Sequence, residues 1–108
     1  MQYIIYQHTN TITGKSYIGY TGKTIDQRFA EHVRYTTYGS QSHFHRAIRL
    51  YGTGCWTSTV LHTCDTKEQA LLLEQQCISH HNTLESGYNM TSGGDGGRAR
   101  PIVCFGRL

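Results

Sequence analysis

Arg28 and His32 stand four residues apart in an amphipathic helical pattern, so a guanidinium and an imidazole share one helix face. The apolar positions of that pattern, Ile25, Phe29 and Val33, are offset from them by one residue. Arg28 and His32 therefore flank the apolar stripe, where a side chain can be anchored in the core while its tip reaches a cleft. The plain alternative is a solvated Arg and a surface His. Glu74 is set among Ala70, Leu71, Leu73, Cys77 and Ile78. A carboxylate in such a run must be paired, protonated or bound to a cation, because isolated burial is costly. An ion pair with an Arg and a site for a hard divalent cation both meet that demand. One Glu, with waters and a phosphate oxygen, is chemically sufficient for magnesium.

Tyr6 and Tyr17 lie in two short β-branched and aromatic runs, Tyr3-Ile4-Ile5-Tyr6 and Ser16-Tyr17-Ile18-Gly19-Tyr20. Packing a sheet is the usual work of a strand Tyr. If this hairpin twists toward the Arg28 face, one phenol can reach an attacking water. A phenol ionises near pH ~10, so service as a base needs nearby positive charge or a metal. Asn89, in Gly87-Tyr88-Asn89, suits a turn or a helix cap. His43, His45, Arg46 and Arg49 form a basic segment that could contact a DNA backbone or simply be a solvated helix face. His80-His81 near a helix end reads as a capping or surface pair.

The elements that must position these groups are legible in outline. The two aromatic runs, joined by Asn10-Thr11-Ile12-Thr13-Gly14-Lys15, predict a β-hairpin over residues 2–20. Thr24 with Gln27 has the form of a capping box and opens the first helix. Phe44, Ala47, Ile48 and Tyr51 predict a second helix that stops at Gly52. Trp56-Thr57-Ser58-Thr59-Val60-Leu61 reads as a third strand, and Thr66 with Gln69 caps a last helix carrying Glu74 and Cys77. The order β-β-α-α-β-α predicts an α+β domain with a small, mainly antiparallel three-stranded sheet flanked by helices. Residues 1–92 would form that domain. The Gly-rich stretch 93–97 reads as a linker, and 98–108 as the start of a further module.

The chain has 108 residues, enough for one compact domain. Ten Lys and Arg against seven Asp and Glu give a net charge of +3, which leans toward a polyanionic partner. Seven of the ten cations are Arg, suited to bidentate phosphate contact. No apolar run approaches the roughly 20 residues of a membrane span. The N-terminal stretch lacks the basic start of a signal peptide. A cytoplasmic, intracellular address is the expectation. Cys55, Cys64, Cys77 and Cys104 make no close CxxC pair of zinc type, and Cys77 is placed in the core.

Taken together, Ile4-Ile5-Tyr6, Tyr17-Ile18-Gly19, Arg28, His32, Glu74 and Gly87-Tyr88-Asn89 resemble, in order, the signature of the GIY-YIG nucleases. Within that family the likeness is greatest to the catalytic domains of phage-type homing endonucleases. It extends over residues 3–97, with Ile4 standing where the family has its first Gly. The resemblance implies a DNA endonuclease dependent on Mg2+ or Mn2+, with Glu74 as metal ligand and Tyr6 as general base or water-positioner beside Tyr17 and His32. It further implies Arg28 at the phosphate and Asn89 as a supporting hydrogen-bond former. Products would carry 5′-phosphate and 3′-hydroxyl ends. The domain would act as a monomer on double-stranded DNA, with a transient dimer or second binding event for double-strand cleavage. A repair or restriction role is the alternative within the class, and a non-catalytic nucleic-acid-binding module the alternative outside it.

Overall fold

The computed structural model describes residues 2–90; the expected linker and start of a further module over 93–108 lie outside them. Strands β1 (Tyr3–Asn10) and β2 (Ser16–Thr21) precede helices α1 (Ile25–Thr37) and α2 (His43–Tyr51). Strand β3 (Trp56–Cys64) and helix α3 (Lys67–His81) follow, and then a single helical turn, α4 (Thr83–Ser86), that the sequence reading lacks. The sheet is antiparallel with strand order β2-β1-β3.

Local chemistry accounts for most boundaries. β1 outlasts its aromatic run because Asn10 organises the turn beyond it. Its Oδ1 accepts from the Ile12 and Thr13 amides at 2.8 and 3.2 Å, and its carbonyl accepts from Gly14, which sits at φ 76°. The capping box at α1 is complete: Thr24 Oγ1 accepts from the Gln27 amide, and the Gln27 side chain accepts from the Thr24 amide. The one at α3 is half formed. Thr66 Oγ1 accepts from the Gln69 amide, but Gln69 Oε1 reaches one residue further back, to the Asp65 amide. Gly52 ends α2 at φ 85° as expected.

Alternation along the strands divides the sheet into two faces. Ile5 and Ile18 pack with Ala70, Cys77 and Ile78 of α3, the main apolar cluster. Tyr6 and His8 point the other way, toward α1 and α2, where Tyr6 bonds to His32 and the His8 ring meets Phe29 and Phe44. Phe44 is the keystone of this second layer: it stacks on Tyr17 with ring centroids 4.3 Å apart and meets Trp56 edge-on. The expected stripe of α1 is only half-buried at Ile25, Phe29 and Val33, and the fully buried residue of that helix is His32. The helix rolls this way because its imidazole has a hydrogen-bond partner on the sheet.

Candidate active site

The site is built outward from Tyr6. This residue stands opposite Gly19 in the β1–β2 register, and its ring lies across the Gly19 backbone. A Cβ at Gly19 would fall 2.4 Å from the Tyr6 hydroxyl and 2.7 Å from Cζ, so only glycine leaves room for the phenol. The hydroxyl is thereby delivered to α1, where it lies 2.9 Å from His32 Nε2 and accepts from Arg28 Nε at 3.3 Å. Tyr17 stands beside it, with ring centroids 6.3 Å apart. Arg28 is steered by Glu31, whose Oε1 accepts from its Nη1 at 2.8 Å, while Lys23 pairs with the other carboxylate oxygen.

Burial fixes the protonation states. It pushes the Tyr6 phenol well above its ordinary pKa, reinforced by Tyr17 and opposed by Arg28. Tyr17 is pushed up to about 12, by burial first and then by the Glu74 carboxylate. His32 is pushed down to about 2, by burial first and then by Arg28, His45 and His8. At neutral pH the cluster therefore holds two neutral phenols and a neutral imidazole beside a permanent guanidinium cation. Tyr6 is no stored phenolate. It can take a proton only while surrendering its own.

Glu74 lies in the buried stripe of α3 with Ala70, Cys77 and Ile78, and is 8% exposed. It faces a cleft of about 370 Å³ whose walls include Tyr17, Arg28, His32, His45 and Asn89. Asn89 closes the open edge of β2. Its Oδ1 accepts from the Ile18 amide at 2.9 Å and its Nδ2 donates to the Ile18 carbonyl at 2.8 Å, as a neighbouring strand would. Gly87 makes this approach possible, because a Cβ there would lie 2.4 Å from the Ser16 carbonyl oxygen. Asn89 thus holds the peptide between Tyr17 and Gly19. Among the described residues no group of three or more His, Cys, Asp or Glu is arranged for a metal. A single carboxylate in a cleft of this size fits a magnesium-type ion, which keeps waters and takes phosphate oxygens. It does not fit the closed four-ligand cage of a structural zinc.

Five of the six expected site residues, Tyr17, Arg28, His32, Glu74 and Asn89, line this cleft, and the sixth, Tyr6, lies wholly buried behind it, bonded to His32 and Arg28. The expected basic segment does not stay together. His45 turns inward, its Nε2 2.8 Å from His32 Nδ1, because α2 crosses α1 at that level. Arg49 ties the α1–α2 connection by donating to the Thr36 and Ser40 carbonyls. His43, Arg46 and Arg49 line a second cleft of about 720 Å³ with Lys15 and Tyr88. Tyr88 borders both clefts. Sequence reasoning missed Glu31, though its three-residue spacing from Arg28 is an ion-pair signal. It also left His8 unassigned; His8 is wholly buried beneath the site, bonded through Nδ1 to Ser58 at 2.8 Å and pushed down to about 4, by burial first and then by Arg28.

This fold and site define a class. Residues 2–89 match the GIY-YIG catalytic domain, and the chain belongs to that family of nucleases. Such nucleases generally use a divalent metal ion. The chain is 31% identical over 98 residues to a protein of Enterobacteria phage T4 named "Putative endonuclease segE", covering 90% of this chain and 44% of that one. It is 33% identical over 104 residues to segD of the same phage, named in the same terms, covering 95% and 42%. The chain thus spans less than half the length of these relatives. Among solved structures, a mutant catalytic domain of the intron endonuclease I-TevI superposes with a TM-score of 0.76 at 24% identity, over 86% of this chain and 97% of that one. The catalytic domain of the homing endonuclease I-TevI gives 0.69 at 24% identity, over 81% and 96%. Both likenesses concern the fold. No helix of the described residues is long and apolar enough to cross a membrane.

Proposed function

We infer that this chain is the DNA-cleaving unit of a homing-type endonuclease, hydrolysing phosphodiester bonds with Mg2+ or Mn2+. The observation that carries the reading is the convergence of the Tyr17 phenol, a guanidinium, an imidazole and a carboxylate, from β2, α1 and α3, on one cleft, with the buried Tyr6 phenol of β1 bonded behind them to His32 and Arg28. Tyr6 orients the attacking water and takes its proton as its own passes to His32. Arg28, held in place by Glu31, neutralises charge that builds on the phosphate oxygens. Tyr17 packs beside Tyr6 at the wall of the cleft, and Asn89 fixes the β2 peptide beneath both. Glu74 would hold the metal, which when bound stabilises the phosphate and leaving oxygens.

The second cleft, with Lys15, His43, Arg46 and Arg49, would follow the DNA backbone away from the site. Binding of this kind is dominated by phosphate and falls steeply with salt. Residues 1–92 would be the catalytic unit, with 93–108 leading to a separate DNA-binding module. One active site per chain predicts nicking with 5′-phosphate and 3′-hydroxyl ends, and double-strand cleavage through a second binding event or a dimer. The test is a supercoiled-plasmid assay with Mg2+, with Mn2+ and with excess chelator. Nicking that persists unchanged in chelator overturns the metal role, and no cleavage under any divalent ion overturns the nuclease reading.

A further inference from the structure

The Tyr6–His32 contact does not end at His32. The other ring nitrogen, Nδ1, lies 2.8 Å from His45 Nε2, and His45 Nδ1 lies 2.7 Å from Ser40 Oγ. Four groups from β1, α1, α2 and the α1–α2 connection are strung in one unbroken line. We propose that His45 and Ser40 extend the Tyr6–His32 pair into a proton relay, running from the buried Tyr6 hydroxyl behind the cleft to the α1–α2 connection, through which the proton taken from the attacking water leaves the site. This rests on the nuclease reading above.

The geometry meets the requirements of a relay. Each link joins a hydroxyl and an imidazole nitrogen, or two imidazole nitrogens, so each can run in either direction. The whole line has two self-consistent proton orders. As the water O–H bond breaks, its proton bonds to the Tyr6 oxygen, and the phenolic proton moves to Nε2 of His32. The proton on Nδ1 of His32 moves to Nε2 of His45. The proton on Nδ1 of His45 moves to Ser40 Oγ, whose hydroxyl proton passes to solvent. One proton enters, one leaves, and no group of the line stays charged.

The surroundings favour this neutral passage over storage of a proton. His32 faces Tyr6, Tyr17, Arg28, His8, Tyr35 and His45, and His45 faces His32, Tyr35, Arg28 and Arg49. Burial and the two guanidinium groups hold His45 below its ordinary pKa. An imidazolium is therefore disfavoured at either position, and a proton arriving on one nitrogen is driven off the other. The far end is half-buried at Ser40, which the Ser42 amide and Arg49 help to place. His45 and Ser40 are positioning residues here, acting on water only through His32 and Tyr6.

The experiment compares single-turnover plasmid nicking with Mg2+ by the parent chain and by His45→Gly, each with imidazole or 1-methylimidazole added. A positioned acid–base group contributes roughly 10²–10⁴-fold, so His45→Gly should lose at least ~10-fold in rate with unchanged DNA binding. Imidazole should restore much of the loss. 1-Methylimidazole fills the same space but has no second nitrogen able to release a proton, and should restore nothing. Neither should assist Tyr6→Phe. Equal rescue by both compounds, or a parental rate without either, overturns the relay. If His45→Gly does not fold, Ser40→Ala serves instead. Nitrogen NMR of the imidazoles, in protein free of DNA and metal, should show the tautomer balance of His32 shifted from the far side of His45. Unchanged His32 signals overturn the relay alone. A parent protein that cuts no DNA refutes the nuclease reading, and the water-activation step with it.

Discussion

Replacing Gly19 by Ala tests whether the site depends on how closely Tyr6 crosses β2. The added Cβ would sit 2.4 Å from the Tyr6 hydroxyl and 2.7 Å from Cζ, whereas ordinary contact begins at 3.4 Å. The phenol must therefore retreat by about 1 Å. It has no slack in which to do so, being fully buried and held at 2.9 Å from His32. Overpacking of this kind costs roughly 1–3 kcal/mol. Lower entropy of the unfolded chain returns about 0.4–1 kcal/mol of that, so destabilisation wins. Melting should fall by several degrees, a net 1 kcal/mol being worth roughly 4–8 °C in a domain of this size. The rate should suffer more, because a displacement of about 1 Å can cost ~10²-fold. Gly54→Ala is the control, since a Cβ there meets nothing within 4 Å. Melting curves and single-turnover nicking of both variants decide the matter. A Gly19→Ala protein with parental melting and parental rate would refute the claim that this glycine places the phenol.

Other perturbations separate the remaining roles. Arg28→Ala should lower nicking by about 10²-fold or more, as loss of an oxyanion-type donor does, while the melt changes little because Glu31 keeps Lys23; a rate within twofold of the parent refutes its place at the phosphate. Glu74→Gln keeps the shape and removes the charge, so folding should hold while Mg2+ binding and cleavage collapse; calorimetry with Mg2+ and thermal melts read the two apart, and a strongly destabilised variant that still cuts at the parental rate returns Glu74 to a structural role. Because His8 and His32 are held near 4 and 2, below their ordinary 6.5, the unfolded chain binds protons that the native state refuses as pH falls below 6.5. Stability should therefore decline from pH 6.5 downward, and a urea midpoint that stays level to about pH 4 refutes the buried neutral imidazoles. Lys15→Ala with Arg46→Ala should weaken duplex binding and flatten its salt dependence by roughly one to two counterions, leaving the single-turnover rate at saturating protein intact.

Local signals in the sequence already determined the element order, the hairpin, the capped start of α1 and the glycine stop of α2, because each depends on residues within a few positions of one another. The ion-pair spacing of Arg28 and Glu31 is equally local. The six candidate site residues could be picked out as well, through their order and their resemblance to a nuclease signature. What the sequence could not determine was the sense in which α1 rolls. Its apolar positions point to Ile25, Phe29 and Val33 as the buried face, yet His32 is the residue that is fully buried. A hydrogen bond to a phenol on another element decides that, and periodicity contains no record of it. Asn89 likewise looks like a turn residue until α3, α4 and Gly87 bring it back to the open edge of β2, where its amide replaces a missing strand. The clearest case is α2. Along the chain His43, His45, Arg46 and Arg49 read as one basic face, but packing against α1 sends His45 to the Tyr6–His32 pair and leaves His43 and Arg46 on another cleft. Neighbours in sequence share a helix, but which of them share a site depends on the angle at which that helix meets its partner, and side-chain packing sets that angle only when the whole domain closes.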